Sequence, residues 1–292
     1  MPDNPPQVSV VVVTHDSLPA LTGCLNALAG AFVKTPCELI VVDNASHDQT
    51  VAEITRLFTH ARVISNAVNV GFARACNQGA EGATGECLLF LNPDVELDED
   101  AIAGLLTEAE AHSDAGLVSG RLRNPDGTFQ ATCRRFPTIG NMIFSRGSAL
   151  GGLLSSPDSR RDRYTLPDFR ETTEVPAVAA TMAMVRRALF AEAGSFDKRF
   201  FMFMEDTDLS LRLHQLGHRN LFAPSAGGVH HWGKGARAGR TRRAYCHHVS
   251  LWKYFLKHFP NGFSVMLLPL LLLANFLLVI ILPSRGARSG DR

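Results

Sequence analysis

Acidic side chains gather at two places where apolar segments stop. Asn92-Pro93-Asp94 follows Cys87–Leu91, and Glu205-Asp206-Thr207-Asp208 follows the apolar Phe200–Met204. A carboxylate at the end of a buried strand suits a hard divalent cation, Mg²⁺ or Mn²⁺, which takes oxygen ligands and keeps positions open for phosphate. Carboxylates beside an apolar wall suit another task, because partial desolvation raises their pKa towards that of a general base. His230-His231 adds imidazoles that could complete a metal shell, and the following Gly233-Lys234-Gly235 could close over phosphates. Together these groups fit group transfer from a nucleoside diphosphate, with a cation for the departing charge and a base for a hydroxyl proton.

Each group also has an ordinary reading. Asn-Pro-Asp is a turn sequence, and acids at a helix start are favoured by the helix dipole. His214 and His218 sit four apart around a helix end and read as surface residues. No Cys/His spacing matches a structural zinc site. The short Gly-rich pieces form neither a GxGxxG nor a Walker A loop, which excludes the dehydrogenase and P-loop readings.

The elements that must position these residues follow from the patterning. Val8–Thr14, Glu38–Asp43, Arg62–Ser65, Cys87–Leu91 and Gly116–Ser119 read as strands, continuous in apolar character and therefore covered on both faces. Leu18–Ala31, Gln49–Thr59, Phe72–Gly82 and Asp98–His112 read as the helices between them. The alternation predicts a doubly wound α/β domain with a mostly parallel sheet. Ligands bind such sheets beyond the carboxyl ends of the strands. Thr14-His15-Asp16-Ser17, Asp43-Asn44-Ala45-Ser46 and Asn92-Pro93-Asp94 all fall there, an edge of amides and carboxylates suited to a nucleotide and a metal. Further on, Asn124-Pro125-Asp126-Gly127 reads as a turn, Ser145–Thr173 as a long loop, Val175–Val185 as a strand, and Leu209–Leu216 as a helix closed by Gly217.

Charge divides the chain of 292 residues unevenly, although the net charge is +1. Residues 1–233 carry 19 Lys/Arg against 27 Asp/Glu, whereas residues 234–292 carry 10 basic side chains against Asp291. The basic end also holds Phe263–Leu282, 20 residues without a formal charge. Such a run is long enough to cross a hydrocarbon core, while Pro269 and Asn275 leave open a helix lying in one leaflet, and a buried core helix is the bland alternative. Basic residues flanking an apolar run point to an anionic membrane surface and away from nucleic acid. The expected organisation is a catalytic domain over 1–240 and a membrane-association segment over 241–292. Six scattered cysteines and a polar, Pro-rich N-terminus fit reduced thiols in a cytosolic domain without a signal peptide.

Taken in order, VVVTHDS (11–17), VVDNAS (41–46), NVGFARACNQG (69–79), LLFLNPDV (88–95), PDGTFQATCRRFPT (125–138), GSFDKRFFMFMEDTDLSLR (194–212) and VHHWGKG (229–235) resemble family 2 glycosyltransferases. The nearest likeness is to their bacterial rhamnosyltransferase-like branch. The resemblance implies a GT-A fold and inversion at the anomeric carbon. It implies that Thr14, Asp43 and Arg74 hold the nucleoside, with Asp16, Asn44, Asn69, Gly71 and Asn92 in the matching strings around it. It makes Asp94 the metal-binding acid of a DxD-like element whose first acid is Asn92. Asp206 matches the catalytic base, Glu205 and Asp208 stand as structural or acceptor-orienting acids, and His230 matches the histidine at the metal–diphosphate end. His15 and Asp16 depart from the Tyr and Asn usual in the branch, and His230-His231-Trp232-Gly233 lacks the usual following Ser.

The expected partners are a dTDP- or UDP-linked sugar donor, a glycan or polyprenyl-linked acceptor, and the cytoplasmic face of a bacterial inner membrane. Rhamnose from dTDP-rhamnose is the favoured donor, with galactose, galactofuranose or an amino sugar as alternatives. A sugar nucleotidyltransferase would need a Gly-rich, basic loop after the first strand, which Thr14–Leu18 lacks. An inactive sugar-binding scaffold is disfavoured because Asp94, Asp206 and His230 are all present.

Overall fold

The computed structural model describes residues 6–138, 165–233 and 239–281. The expected basic loop at Lys234-Gly235, most of the loop Ser145–Thr173 and the tail beyond Ile281 lie outside the described residues.

The βα alternation forms as the patterning predicts. β1 (Val8–Thr14), α1 (Leu18–Lys34), β2 (Cys37–Asp43), α2 (Thr50–Leu57), β3 (Arg62–Ser65), α3 (Phe72–Glu81) and β4 (Cys87–Leu91) follow one another. Next come β5 (Val95–Leu97), α4 (Ala101–Ala111) and β6 (Ala115–Arg123). The short pieces β7 (Phe129–Gln130), β8 (Cys133–Arg134), β9 (Thr173–Glu174) and β10 (Ala177–Val178) precede β11 (Met182–Arg186) and α5 (Arg187–Glu192). The remaining elements are α6 (Glu205–Gln215), β12 (Arg219–His230), α7 (Arg240–His258) and α8 (Phe263–Ile281).

The main sheet has ten strands, in the order β3-β2-β1-β4-β11-β6-β12-β5, with β7 on β6 and β9 on β12. β1 to β4 are parallel, and β6 and β12 run in the same direction because each side of the antiparallel β11 reverses once. β1 shows why its strand is apolar without alternation. Val8, Val10 and Val12 pack with Leu21, Leu25, Ile54 and Ile102 from α1, α2 and α4. Val11 and Val13 pack on the other side with Ala73, Phe190 and Leu209 from α3, α5 and α6. Helices therefore cover both faces, and every residue of β1 is buried.

Two expectations change in detail. The apolar run Val175–Val185 is not one strand: it breaks into β10 and β11 around Ala179–Thr181. Helix α6 starts at Glu205, four residues before the expected helical run Leu209–Leu216, so the acidic cluster is its first turn. Gly217 ends α6 at φ 88°, and the His218 N–H bonds back to the Leu213 carbonyl, as a left-handed cap requires.

The described residues fall into two compact units. The larger holds the sheets and α1–α6. The second holds α7, α8 and Met202–Met204. Within it, the Asn275 amide meets the His248 ring at 2.9 Å and the Phe276 ring lies against His248 and Tyr245, which explains the polar break in an apolar helix. The opposite side of α8 is bare. Met266, Leu270, Leu273, Leu277 and Ile280 are exposed at steps of four, three, four and three residues, one face of a helix. α7 exposes Tyr245, Trp252 and Leu256, spaced seven and four residues apart, among Arg242, Arg243, Lys253 and Lys257. Among the described residues no helix is long and apolar enough to cross a membrane.

Candidate active site

Most of the predicted site residues sit at the carboxyl-end edge of the sheet or are tied to it. Thr14 and Asp43 close β1 and β2 and pair in register. Both are buried, and neither the Thr14 hydroxyl nor the Asp43 Oδ1 has a hydrogen-bond partner among the described residues. Buried polar atoms are rarely left unsatisfied, so an orphan acceptor beside an orphan hydroxyl marks a place for a polar ligand. Asn44 does something else. Its amide bonds the Asn69 side chain at 3.0 Å and the Gly71 carbonyl at 3.3 Å, while its oxygen accepts the Val70 N–H at 3.0 Å and the Asn66 amide at 3.2 Å. Asn69 in turn accepts the Gly71 N–H at 3.0 Å. These two asparagines shape the loop before α3, with no polar atom left over for a ligand on Asn44.

Gly71 is there because no other residue fits. Its φ is +90°, and a Cβ would lie 2.5 Å from the Phe201 carbonyl oxygen. That oxygen accepts the Phe72 N–H at 2.7 Å, docking the bend that leads to Glu205 onto the start of α3. Arg74 is exposed on the first turn of α3 and has no charge partner among the described residues. Asp16 adopts φ 51° and accepts the His47 N–H at 2.6 Å, a bond that holds its carboxyl below the usual range.

The turn after β4 carries Asp94. Antiparallel pairing of β5 with β12 sets His230 opposite Val95, and the His231 N–H bonds the Asp94 carbonyl at 2.9 Å. This register brings His230 Nε2 to 3.2 Å from Asp94 Oδ1, both side chains almost wholly buried. His230 Nδ1 lies 2.5 Å from Gln130 Oε1 on β7. Among the described residues no cluster of three or more His, Cys, Asp or Glu side chains converges as a metal site. A carboxylate and an imidazole facing each other fit a cation that takes its remaining ligands from phosphate and water.

Asp206 is tied to that turn through two residues. Its Oδ2 accepts the Ala180 N–H at 3.3 Å, and the neighbouring Thr181 carbonyl accepts the Asn92 N–H at 2.9 Å. The broken strand Val175–Val185 is what makes this bridge, since Ala180 and Thr181 belong to its turn. Asp206 Oδ1 caps the helix, accepting the Thr207 N–H at 2.6 Å and the Thr207 hydroxyl at 3.2 Å. Arg134 on β8 stands 3.7 Å from Asp206 Oδ2. Glu205 is buried with its Oε2 unpartnered among the described residues, and burial, then the adjacent Asp206 charge, pushes its carboxyl up to about 8. The backbone before it, Phe203 and Met204, is held at φ 70° twice over, a strained approach of the sort stored at functional sites. Asp208 is fully buried and pairs with Arg212 at 2.9 Å; that guanidinium also bonds the carbonyls of Ala193 and Ser195. Its geometry is that of a structural tie between α6 and the loop at 193–195.

The structure thus brings together Asp94, His230, Asn92 and Asp206, and separately Thr14 and Asp43. It adds Gln130 and Arg134, which reasoning from single residues passed over. Their signal lay in the string PDGTFQATCRRFPT: two short strands send Gln130 to His230 and Arg134 to Asp206.

Residues 9–194 match the family model of Glycosyl transferase family 2. The chain belongs to that family. It is a glycosyltransferase of the GT-A architecture. It is 29% identical over 259 residues to an N-acetylglucosaminyl-diphospho-decaprenol L-rhamnosyltransferase of Mycobacterium tuberculosis, covering 82% of this chain and 81% of that one. Rhamnosyltransferase WbbL of Escherichia coli is 24% identical over 176 residues, 60% of this chain and 63% of its own. Both support the rhamnosyltransferase-like branch. A mannosyltransferase of Pyrobaculum calidifontis, solved with GDP-Man and Mn2+, shares the fold with a TM-score of 0.59 at 20% identity, over 95% of this chain and 71% of that one.

Proposed function

We propose that this glycosyltransferase inverts the anomeric centre, depends on Mg²⁺ or Mn²⁺, and transfers rhamnose from dTDP-rhamnose to a polyprenyl-linked acceptor in cell-surface polysaccharide synthesis. The observation that carries the reading is the pairing of two acidic stations at one sheet edge: Asp94 with His230, and Asp206 two residues away across the Ala180–Thr181 turn. The sugar and acceptor rest on the name of the mycobacterial relative. Mn2+ in the mannosyltransferase complex supports the cation.

Asp94 and His230 would hold the cation, which supplies positive charge to the departing diphosphate. Thr14 Oγ1 and Asp43 Oδ1 supply unsatisfied polar atoms for the nucleoside. Asp206 takes the proton as the acceptor oxygen bonds to the anomeric carbon and the bond to the diphosphate breaks on the opposite face. Arg134 places a positive charge 3.7 Å from the Asp206 carboxylate. Glu205, held protonated by burial, adds no second charge at the base.

The bare stripe of α8 and the basic residues of α7 support attachment to the cytoplasmic leaflet, with α8 lying in the plane of the interface and α7 among the headgroups. No acid is present between residues 234 and 290, so an anionic lipid surface suits this unit better than a second copy bearing the same charge.

The test is release of nucleoside diphosphate from a panel of nucleotide sugars, with Asp94→Ala as the control. Asp94→Ala should abolish turnover and weaken binding of dTDP while leaving thymidine binding unchanged. Full turnover in excess chelator would remove the cation from the reading, and turnover with UDP-linked sugars alone would remove the rhamnose.

A further inference from the structure

The turn between β6 and β7 is wired to His230 by hydrogen bonds whose direction is fixed from one end. Asp126, when ionised, can only accept. Its Oδ1 takes both the Thr128 N–H at 3.0 Å and the Thr128 hydroxyl at 2.6 Å, and these bonds hold its carboxyl below the usual range. The Thr128 proton being committed there, its oxygen accepts from the Asn124 amide nitrogen at 2.9 Å. Asn124 therefore turns its carbonyl oxygen to Gln130, whose amide nitrogen donates at 2.8 Å. The Gln130 oxygen is left facing His230 Nδ1 at 2.5 Å. An amide oxygen cannot donate, so Nδ1 must carry the proton. The turn itself is rigid at its base, with the Asn124 N–H on the Thr128 carbonyl and the Gly127 N–H on the Asn124 carbonyl.

We infer that Asn124 and Gln130 are positioning residues that set the tautomer of His230, keeping the proton on Nδ1 so that Nε2 offers its lone pair beside Asp94. This rests on the reading of Asp94 and His230 as the protein ligands of a divalent cation. In the other tautomer an Nε2–H would donate across the 3.2 Å to Asp94 Oδ1 and occupy the place of the ion. Partners of this kind on the far nitrogen of a ligating histidine fix ring orientation and raise its basicity, and their loss costs about 10–100-fold in metal affinity. His230 and Asp94 thus need a third element, and the Asn-Pro-Asp-Gly turn at 124–127 supplies it from the far side of the site.

The test is ¹⁵N NMR of the full chain labelled in its histidines, metal-free and with the ring neutral, followed by Mn²⁺ titration. Wild-type protein should show His230 protonated at Nδ1. Gln130→Leu should lose that preference and bind Mn²⁺ about 10–100-fold more weakly. Asn124→Leu, at a half-exposed position that tolerates change, should do the same in milder form, and it decides the matter if Gln130→Leu fails to fold. Asn124→Asp, still an acceptor towards Gln130, should restore both the tautomer and the affinity. An Nε2–H ring in the wild type, or an unchanged Nδ1–H ring in Gln130→Leu, overturns the inference. If the Nδ1–H ring is present in the wild type and lost in Gln130→Leu while Mn²⁺ binding is indifferent to Asp94→Ala, the relay stands and the cation reading fails.

Discussion

Replacing Asp206 by Asn removes one negative charge and one proton acceptor, but it also disturbs a worked hydrogen-bond arrangement. Each carboxylate oxygen already accepts a backbone N–H, from Thr207 at Oδ1 and from Ala180 at Oδ2. An amide has one oxygen, so its NH₂ must face one of those two N–H groups, or the Arg134 guanidinium 3.7 Å from Oδ2. Leaving one buried N–H unpaired costs about 1–3 kcal/mol. For a chain of this size that lowers Tm by about 2–12 °C. Loss of general-base catalysis lowers turnover by about 10²–10⁴-fold. The two effects separate experimentally: melting followed with and without dTDP reports the first, and single-turnover release of diphosphate at a temperature well below Tm reports the second. Binding of dTDP should change little, because the proposed base acts on the acceptor hydroxyl and not on the nucleotide. Turnover of Asp206→Asn within tenfold of wild type would refute the assignment of the base. A turnover loss that disappears when stability is restored by a second-site change would reduce Asp206 to a helix cap.

Three further outcomes follow from the same geometry. Glu205 is pushed up to about 8, so between about pH 4.5 and 8 the folded state holds a proton that the unfolded chain has lost. Stability should therefore fall as pH rises through that window, and Glu205→Gln should flatten the slope of Tm against pH; a slope unchanged in the variant contradicts a protonated Glu205. Gly71→Ala should cost about 2–6 kcal/mol in chemical denaturation, from a backbone conformation reserved for glycine and a Cβ pressed on the Phe201 carbonyl, and wild-type stability would show that the loop yields freely. Leu270→Glu with Leu273→Glu should weaken binding to anionic vesicles by more than about 10²-fold, since each buried Leu contributes about 1.5–3 kcal/mol, and sedimentation of the double variant with vesicles as wild type would remove the membrane from the exposed stripe.

Much of the scaffold was legible because each local signal agreed with the next. β1 and β4 begin and end where the apolar runs do, since a strand covered on both faces must be apolar throughout its buried length. The acids and amides at the ends of those runs were legible as a ligand edge because ligands bind such sheets beyond the carboxyl ends of the strands, where buried polar groups need partners. Where the reading slipped, two local signals conflicted. Val175–Val185 is apolar from end to end, but half of it turns to hand an N–H to Asp206 and a carbonyl to Asn92. Asp208 shares its type and spacing with Asp206, yet faces Arg212 because it lies two residues further round the helix.

The sequence by itself determined the family, the sheet edge and the identities of Asp94, His230 and Asp206, because residue type and order carry that information along one dimension. Tertiary structure alone decided what each acid faces. The 3.2 Å approach of His230 to Asp94 depends on the β5–β12 register, and the reach of Gln130 and Arg134 depends on two two-residue strands folded across the site. Burial also raises the Glu205 carboxyl, whose Oε2 has no partner among the described residues. Burial and hydrogen-bond direction are properties of neighbours distant in the chain, and no spacing rule contains them.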